Sequence, residues 1–390
     1  MAFPPRRRTI GRLAVLACAP ATALALAWPA AAGTASAAAT SARASSAARA
    51  AAPRSAAAAS PPSAYVDVSV ATVWTAPTSP RPVDHPALTN PVNIPRWLSD
   101  MSLADKLGLT SDNLTQTQAL YGNRVYVLAE HAGWDEVAVP GQPTPKNPLG
   151  YPGWVPSVQL TAGHRFAALQ SHRPFALVQA PTAWLYNNSA LTRENMQISA
   201  NTRLPALARV GQAILVATPD GGAKWLSARD AAVYRSASDI PYPTGASLVA
   251  YARRFLHRSY LWAGRSGFAF DCSGFTSTIY QVNGITIPRD ASAQAQYGGG
   301  RMVSTNDLQA GDLLFYATSQ DPSSIYHVAM YIGHQQMIEA YDAATPVRIT
   351  AVRFGTDYWG AERFLRPGAA RQPGGTPPRR RGAGRLRPIH

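Results

Sequence analysis

The chain's 390 residues are enough for two or three domains, each with a proper core. Its formal net charge of +15 sits in the ends: residues 1–64 hold seven Arg and no acid, and residues 366–390 hold seven more, again with no acid. The remaining body carries 22 Lys and Arg against 21 Asp and Glu, a near-neutral balance that argues against a DNA- or RNA-binding fold.

The N-terminus reads as an export signal over residues 1–37: Arg6-Arg7-Arg8, an apolar run from Leu13 to Trp28, then small residues at Ala30-Ala31-Ala32 and Ala35-Ser36-Ala37. Pro20 interrupts the run, which argues against a membrane anchor. Arg7-Arg8-Thr9-Ile10 leaves twin-arginine export open. Cys18 falls within the segment to be removed. Residues 38–64 are nearly all Ala, Ser, Pro and Arg, too poor in large apolar side chains to offset chain entropy, and read as a disordered linker. The Gly/Pro/Arg-rich tail from 367 to 390 reads the same way.

Between Tyr65 and Tyr234 the pattern is β, with short alternating runs at 66–70, 125–128, 134–139 and 213–216. Thr72-Val73-Trp74 recurs as Thr182-Ala183-Trp184, and the strand start at Gly133-Trp134 recurs near Lys224-Trp225-Leu226. This weak duplication predicts two small closed barrels of five or six strands, at 65–165 and 166–235. Residues 99–107 read as a helical insertion outside the first barrel.

After Tyr234 the period changes. Thr244 caps a predicted helix with Leu248, Tyr251, Ala252, Phe255 and Leu256 on one face. A second helix starts at Cys272, presents Phe275, Ile279 and Val282, and ends at Gly284. Strands follow at 312–316, 326–332, 336–341 and 347–352, so residues 236–366 form an α+β domain.

With Cys18 gone, Cys272 is the one remaining thiol and cannot form an internal disulfide. At a helix start it faces unpaired N–H groups and the positive end of the helix dipole, which favour thiolate. A hairpin turning at Gly333-His334-Gln335 sets His327 directly opposite Glu339, close enough for the carboxylate to steady the imidazole. Val328, Met330, Ile332, Ile338 and Ala340 then point to the other face. No metal-ligand cluster of convincing spacing and no phosphate-cradling loop is present in the sequence; Gly298-Gly299-Gly300 follows a helix-like stretch instead of preceding one. No cofactor is therefore expected.

The segments Tyr260-Leu261-Trp262-Ala263-Gly264, Asp271-Cys272-Ser273-Gly274-Phe275, Ile287-Pro288-Arg289-Asp290, Ala310–Tyr316 and His327–Gly333 resemble, in order, the motif series of the NlpC/P60 cysteine peptidases. The β-rich half resembles paired bacterial SH3 domains, on Gln118–Gly122 and Gly150–Pro156. The resemblance implies an α+β papain-like NlpC/P60 catalytic domain preceded by two small SH3-like β-barrels. It implies a secreted, wall-associated, monomeric endopeptidase that cuts between γ-D-glutamate and a diamino acid in peptidoglycan stem peptides. Cys272 would be the nucleophile, His327 the base and Glu339, where the family often has His, the orienting group. Tyr260 would lie near the oxyanion with the Cys272 N–H. Asp271 and Tyr151 would hold the free amine of an N-terminal L-Ala, Ser273 and Ser292 the glutamate carboxylate, and Trp262 would line the groove. A neighbouring acidic position in such relatives corresponds to Gln116 here. Two other readings stay open: a wall-binding protein with a vestigial catalytic domain, and an amidase or acyltransferase on the same layout.

Overall fold

Runs in which apolar residues alternate and Gly, Asn or Pro intervene pair into antiparallel strands. The computed structural model describes residues 61–367, and fourteen such strands precede residue 235. The export signal, most of the linker and the basic tail lie outside the described residues. The first set is β1 (Ser63–Val66), β2 (Val70–Trp74), β3 (Thr115–Leu120), β4 (Arg124–His131), β5 (Trp134–Val139), β6 (Tyr151–Pro156) and β7 (Leu160–Thr161). Linker residues Ser63 and Ala64 thus belong to a strand, and the run expected at 66–70 is instead the break between β1 and β2. The second set is β8 (Phe175–Val178), β9 (Thr182–Tyr186), β10 (Glu194–Ser199), β11 (Arg203–Val210), β12 (Ala213–Ala217), β13 (Ala223–Ser227) and β14 (Ala231–Tyr234).

The strand orders are β3-β2-β6-β5-β4-β1-β7 and β10-β9-β13-β12-β11-β8-β14, the same order twice. The duplication seen in sequence is therefore structural, with Trp74 on β2 and Trp184 on β9 at equivalent strands. Trp225, however, lies on β13, the counterpart of Trp154 on β6 and not of Trp134 on β5. The sheets also correct the expected closed barrels of five or six strands: each has seven, and its outermost strands do not pair with each other. The β3 edge abuts the neighbouring domain, whose Arg265 amide donates to the Gln118 side-chain Oε1 at 2.9 Å. Each set has its own apolar centre, with Val66, Val73, Val125 and Val137 in the first and Ile198, Leu204, Ile214 and Leu226 in the second.

The insertion between β2 and β3 is two helices, α1 (Ile94–Asp100) and α2 (Leu103–Ser111). Ser102 breaks the expected single helix by capping α2: its hydroxyl accepts the Asp105 amide while Asp105 accepts the Ser102 amide. A further helix, α3 (His164–His172), joins the two β sets.

In the third part, Thr244 caps α4 (Gly245–Ala252), as the spacing predicts, but the chain tightens into a 3-10 turn over Arg253–Phe255. Short strands β15 (Ser259–Tyr260), β16 (Arg265–Ser266) and β17 (Ala269–Phe270) lead into α5 (Cys272–Val282), followed by α6 (Ala291–Tyr297). A six-stranded antiparallel sheet completes the domain: β18 (Arg301–Val303), β19 (Leu313–Ala317), β20 (Ile325–Gly333), β21 (Gln336–Glu339), β22 (Arg348–Ala351) and β23 (Tyr358–Arg363), in the order β18-β23-β19-β20-β21-β22. Helix α5 packs Phe275 and Ile279 into a core shared with Val328, Met330 and Ile338. Behind its first turn, Phe255, Phe270 and Phe275 meet edge to face at 5.1–6.4 Å. Full burial of each ring is worth roughly 1.5–3 kcal/mol and fixes where the cysteine sits.

Candidate active site

The first turn of α5 positions the thiol. Asp271 caps the helix, its Oδ1 accepting the Gly274 amide at 2.6 Å. Gly274 is obligatory for close approach, because a Cβ there would meet the Gly264 carbonyl oxygen at 2.0 Å. Cys272 is 6% exposed and lines a cavity of about 540 Å³. Tyr260, Trp262, Asp271, Ser273 and Ser292 share that cavity, and Tyr151, Gln116 and Lys146 wall it from the first β domain.

His327 and Glu339 form a pair. His327 Nε2 lies 2.9 Å from Glu339 Oε2, with both side chains buried. A proton on Nε2 is then donated to the carboxylate, which leaves Nδ1 as the acceptor. The pairing is diagonal and not directly across: β20 and β21 align Met330 with Ile338 and Tyr331 with Met337, and the turn is His334-Gln335, both at positive φ. Glu339 is directly opposite Arg348 on β22 instead. Neither His327 nor Glu339 lines the cavity, but Ile325 and Tyr326 beside them do. The backbone amides of Val328, next in chain to His327, and of Ser273 favour the ionised form of the Cys272 sulfur.

The electrostatics of the resting site depart from the expected thiolate. Burial first, then the Asp271 charge, push the Cys272 thiol up to about 12, against the lowering effect of the Val328 and Ser273 amides and Arg289. Burial likewise holds the His327 imidazole below its ordinary value, although Glu339 opposes this. Desolvation of both groups favours thiol and neutral imidazole over the ion pair. Glu339 is kept ionised, at about 2, because His327, Arg353 and their hydrogen bonds outweigh its burial. Arg348 Nε, Arg353 Nη1 and Thr350 Oγ1 all donate to it, at 3.2, 3.1 and 3.1 Å. Tyr260 stays a neutral phenol because burial, then the neighbouring Cys272 and Asp271, raise it well above its usual range.

Asp271 is committed to a partner that sequence reasoning left without a role. Arg289, also buried, donates from Nη2 to Asp271 Oδ2 at 2.7 Å and from Nη1 to Oδ1 at 3.1 Å. It further reaches Ser273 Oγ at 2.9 Å and, across the domain boundary, Thr117 Oγ1 at 2.9 Å. With Asp271 so engaged, the Tyr151 hydroxyl meets Asp290, 2.8 and 2.9 Å from its two oxygens. Lys146 donates to the same hydroxyl and to Gln116 Oε1 at 3.1 Å, and lies 3.5 Å from Asp290. The Ile-Pro-Arg-Asp motif was the available signal for Arg289 and Asp290; nothing local pointed to Lys146 or Thr117. Among the described residues no cluster of His, Cys, Asp and Glu has metal-holding geometry.

Residues 257–365 match the NlpC/P60 family, and residues 178–234 match the YKFC SH3b2 domain. A Bacillus cereus protein named gamma-D-glutamyl-L-lysine dipeptidyl-peptidase is 46% identical over 77% of this chain and 91% of its own length. A Bacillus subtilis protein of the same name is 37% identical over 72% of this chain and 90% of its own. The crystal structure of an NlpC/P60 family protein from Bacillus cereus superposes with a TM-score of 0.74 at 46% identity, over 78% of this chain and all of that one.

Proposed function

Because the chain belongs to the NlpC/P60 family of cysteine peptidases and carries an SH3b domain, we propose that it hydrolyses the γ-D-glutamyl–diamino acid bond of peptidoglycan stem peptides through an acyl-enzyme on Cys272. The observation that carries this reading is a thiol at a helix tip, lining a cavity, with a carboxylate-held imidazole on β20, the strand whose Ile325 and Tyr326 line the same cavity. In the proposed sequence the sulfur attacks the γ-carbonyl carbon as His327 takes the thiol proton. The carbonyl oxygen becomes an oxyanion, held by the Cys272 amide and the Tyr260 hydroxyl. The imidazolium then gives its proton to the departing amine as the C–N bond breaks; water, deprotonated by His327, attacks the thioester carbon, the C–S bond breaks to release the γ-carboxylate, and the imidazolium returns its proton to the sulfur.

The relatives' name supports a substrate with a free N-terminal dipeptide, and lysine as the diamino acid. In this chain Asp290 and Tyr151 are placed to receive the L-Ala ammonium, with Asp271 ordered behind them by Arg289. Ser273 and Ser292 offer hydroxyls to the glutamate α-carboxylate, and Trp262 forms part of the wall. Lys146 rests where that ammonium would dock; its side chain is 42% exposed and can swing into water when substrate enters. The N-terminal pattern supports export, and we place the activity at the cell wall, in a monomer. No helix among the described residues is long and apolar enough to cross a membrane.

Cys272→Ala tests the assignment. L-Ala-γ-D-Glu-L-Lys incubated with wild type should yield L-Ala-γ-D-Glu and lysine by mass spectrometry, and the variant should yield neither while keeping its melting temperature. Undiminished product from Cys272→Ala refutes the proposal.

A further inference from the structure

A second cavity, of about 500 Å³, opens where all three domains meet and does not share a wall with the Cys272 cavity. Its lining includes Arg124 from the first β domain, Arg203 and Asn201 from the second, and Arg265 and Gln281 from the catalytic domain. Among the described residues that line it there is no carboxylate. Three guanidinium groups thus converge without a counter-charge, and one of them is out of water: Arg265 is 4% exposed.

The bonds around Arg265 do not account for that charge. Its Nη2 donates to Gln281 Oε1, a neutral oxygen that also accepts from Asn201 Nδ2 at 2.6 Å. Its Nε–H is buried without an acceptor among the described residues. Asp271, the carboxylate that acts on it, is already bonded at two points to Arg289. Burial, then the Arg289 and Arg203 charges, press the Arg265 guanidinium down to about 9, so the site resists its own charge. Arg203 donates from Nη2 to the Gln281 carbonyl at 3.1 Å and otherwise stacks on Phe175 at 5.4 Å. Arg124 finds only the Tyr126 hydroxyl, at 3.0 Å, and that ring. Asn201 Oδ1 is also buried without a donor. A buried cation with no partner anion is costly, and guanidinium forks match oxyanions. Asn201 also lines the cavity, and its free acceptor suits an oxyanion that keeps one O–H, as hydrogen phosphate does at neutral pH and a carboxylate does not.

We infer that the three-domain cavity is a binding site for a phosphate-type oxyanion, held by Arg265, Arg203 and Arg124 with Asn201 accepting its hydroxyl. This site lies outside the peptide cleft and does not depend on the hydrolase assignment.

Phosphorus NMR of the purified chain tests it, with inorganic phosphate and glycerol phosphate titrated separately at ionic strength held constant by sodium chloride. The wild type should broaden the inorganic phosphate resonance saturably. Arg124→Gln/Arg203→Gln should weaken this at least about tenfold, while hydrolysing the tripeptide at the wild-type rate as a check on folding. Equal response to glycerol phosphate assigns the site to phosphate end groups, and response to inorganic phosphate alone assigns it to the free ion; each supports the site. Arg265→Gln should abolish the response; where that protein fails to fold, the double variant carries the test. Broadening that does not saturate, or that is the same in wild type and double variant, overturns the inference.

Discussion

Glu339→Gln separates holding the imidazole from ionising it. The substitution keeps the shape of a side chain that is fully buried and removes the charge that His327, Arg348 and Arg353 share. Glu339 titrates at about 2 when folded against an ordinary 4.5, which corresponds to about 3 kcal/mol of stability at neutral pH. Since the folded value is the lower one, this contribution is complete above about pH 4.5 and is lost as the pH falls toward 2. The two arginine side chains are 34% and 31% exposed, so water screens part of their share and 3 kcal/mol is an upper figure. A loss of that size is survivable against a total of roughly 5–15 kcal/mol, and should lower the melting temperature by roughly 5–10 °C. In catalysis the variant loses a charge-assisted hydrogen bond to the imidazolium, worth about 1.5–3 kcal/mol, or roughly 10- to 150-fold in kcat/KM. Thermal melts between pH 3 and 7, with stopped-assay kinetics on L-Ala-γ-D-Glu-L-Lys, read both. Wild-type kcat/KM in a protein that has lost the acid-dependent part of its stability would show that His327 does not need this carboxylate to act.

Lys146→Ala should lower KM for the free-amine tripeptide several-fold with kcat little changed, because the ammonium no longer competes for Asp290 and Tyr151; an N-acetylated tripeptide assayed in parallel should show no such gain. Tyr260→Phe should lower kcat by roughly 10²- to 10³-fold at unchanged KM if its hydroxyl holds the oxyanion, measured on the same substrate. His327 is held below its ordinary 6.5, so the acid limb of the kcat/KM profile should fall below pH 6.5, and in Glu339→Gln it should move lower still, since the carboxylate's effect is to raise the imidazole.

The partnership of His327 and Glu339 was legible even though its register was not. The expected register set His327 directly against Glu339; the strands instead align Met330 with Ile338 and Tyr331 with Met337, a displacement of two positions. Side chains in a strand change face every residue, so an even displacement leaves both groups on the same face and still within reach. Cys272 was legible because local signals (a cap, a helix face, a terminating glycine) are what place it. Its ionisation was not, because desolvation depends on the whole surrounding core and not on the helix that bears it. Long-range pairs escaped for the same reason: Arg289 and Thr117 are 172 residues apart, and no periodicity links them. Strand β23 was missed because Gly360 interrupts a short run, yet it sits inside the sheet between β18 and β19.

The hydrogen bond from Arg289 to Thr117 bears on how such proteins are assembled from parts. A peptidase whose companion module serves only as an anchor can exchange that module freely, by recombination or by design. Here the companion bonds the arginine that orders the Asp271 cap beside Cys272 and supplies Tyr151, Gln116 and Lys146 to the cleft. Grafting this catalytic domain onto a foreign wall anchor would therefore remake its selectivity along with its address, and the two halves are better treated as one inherited unit.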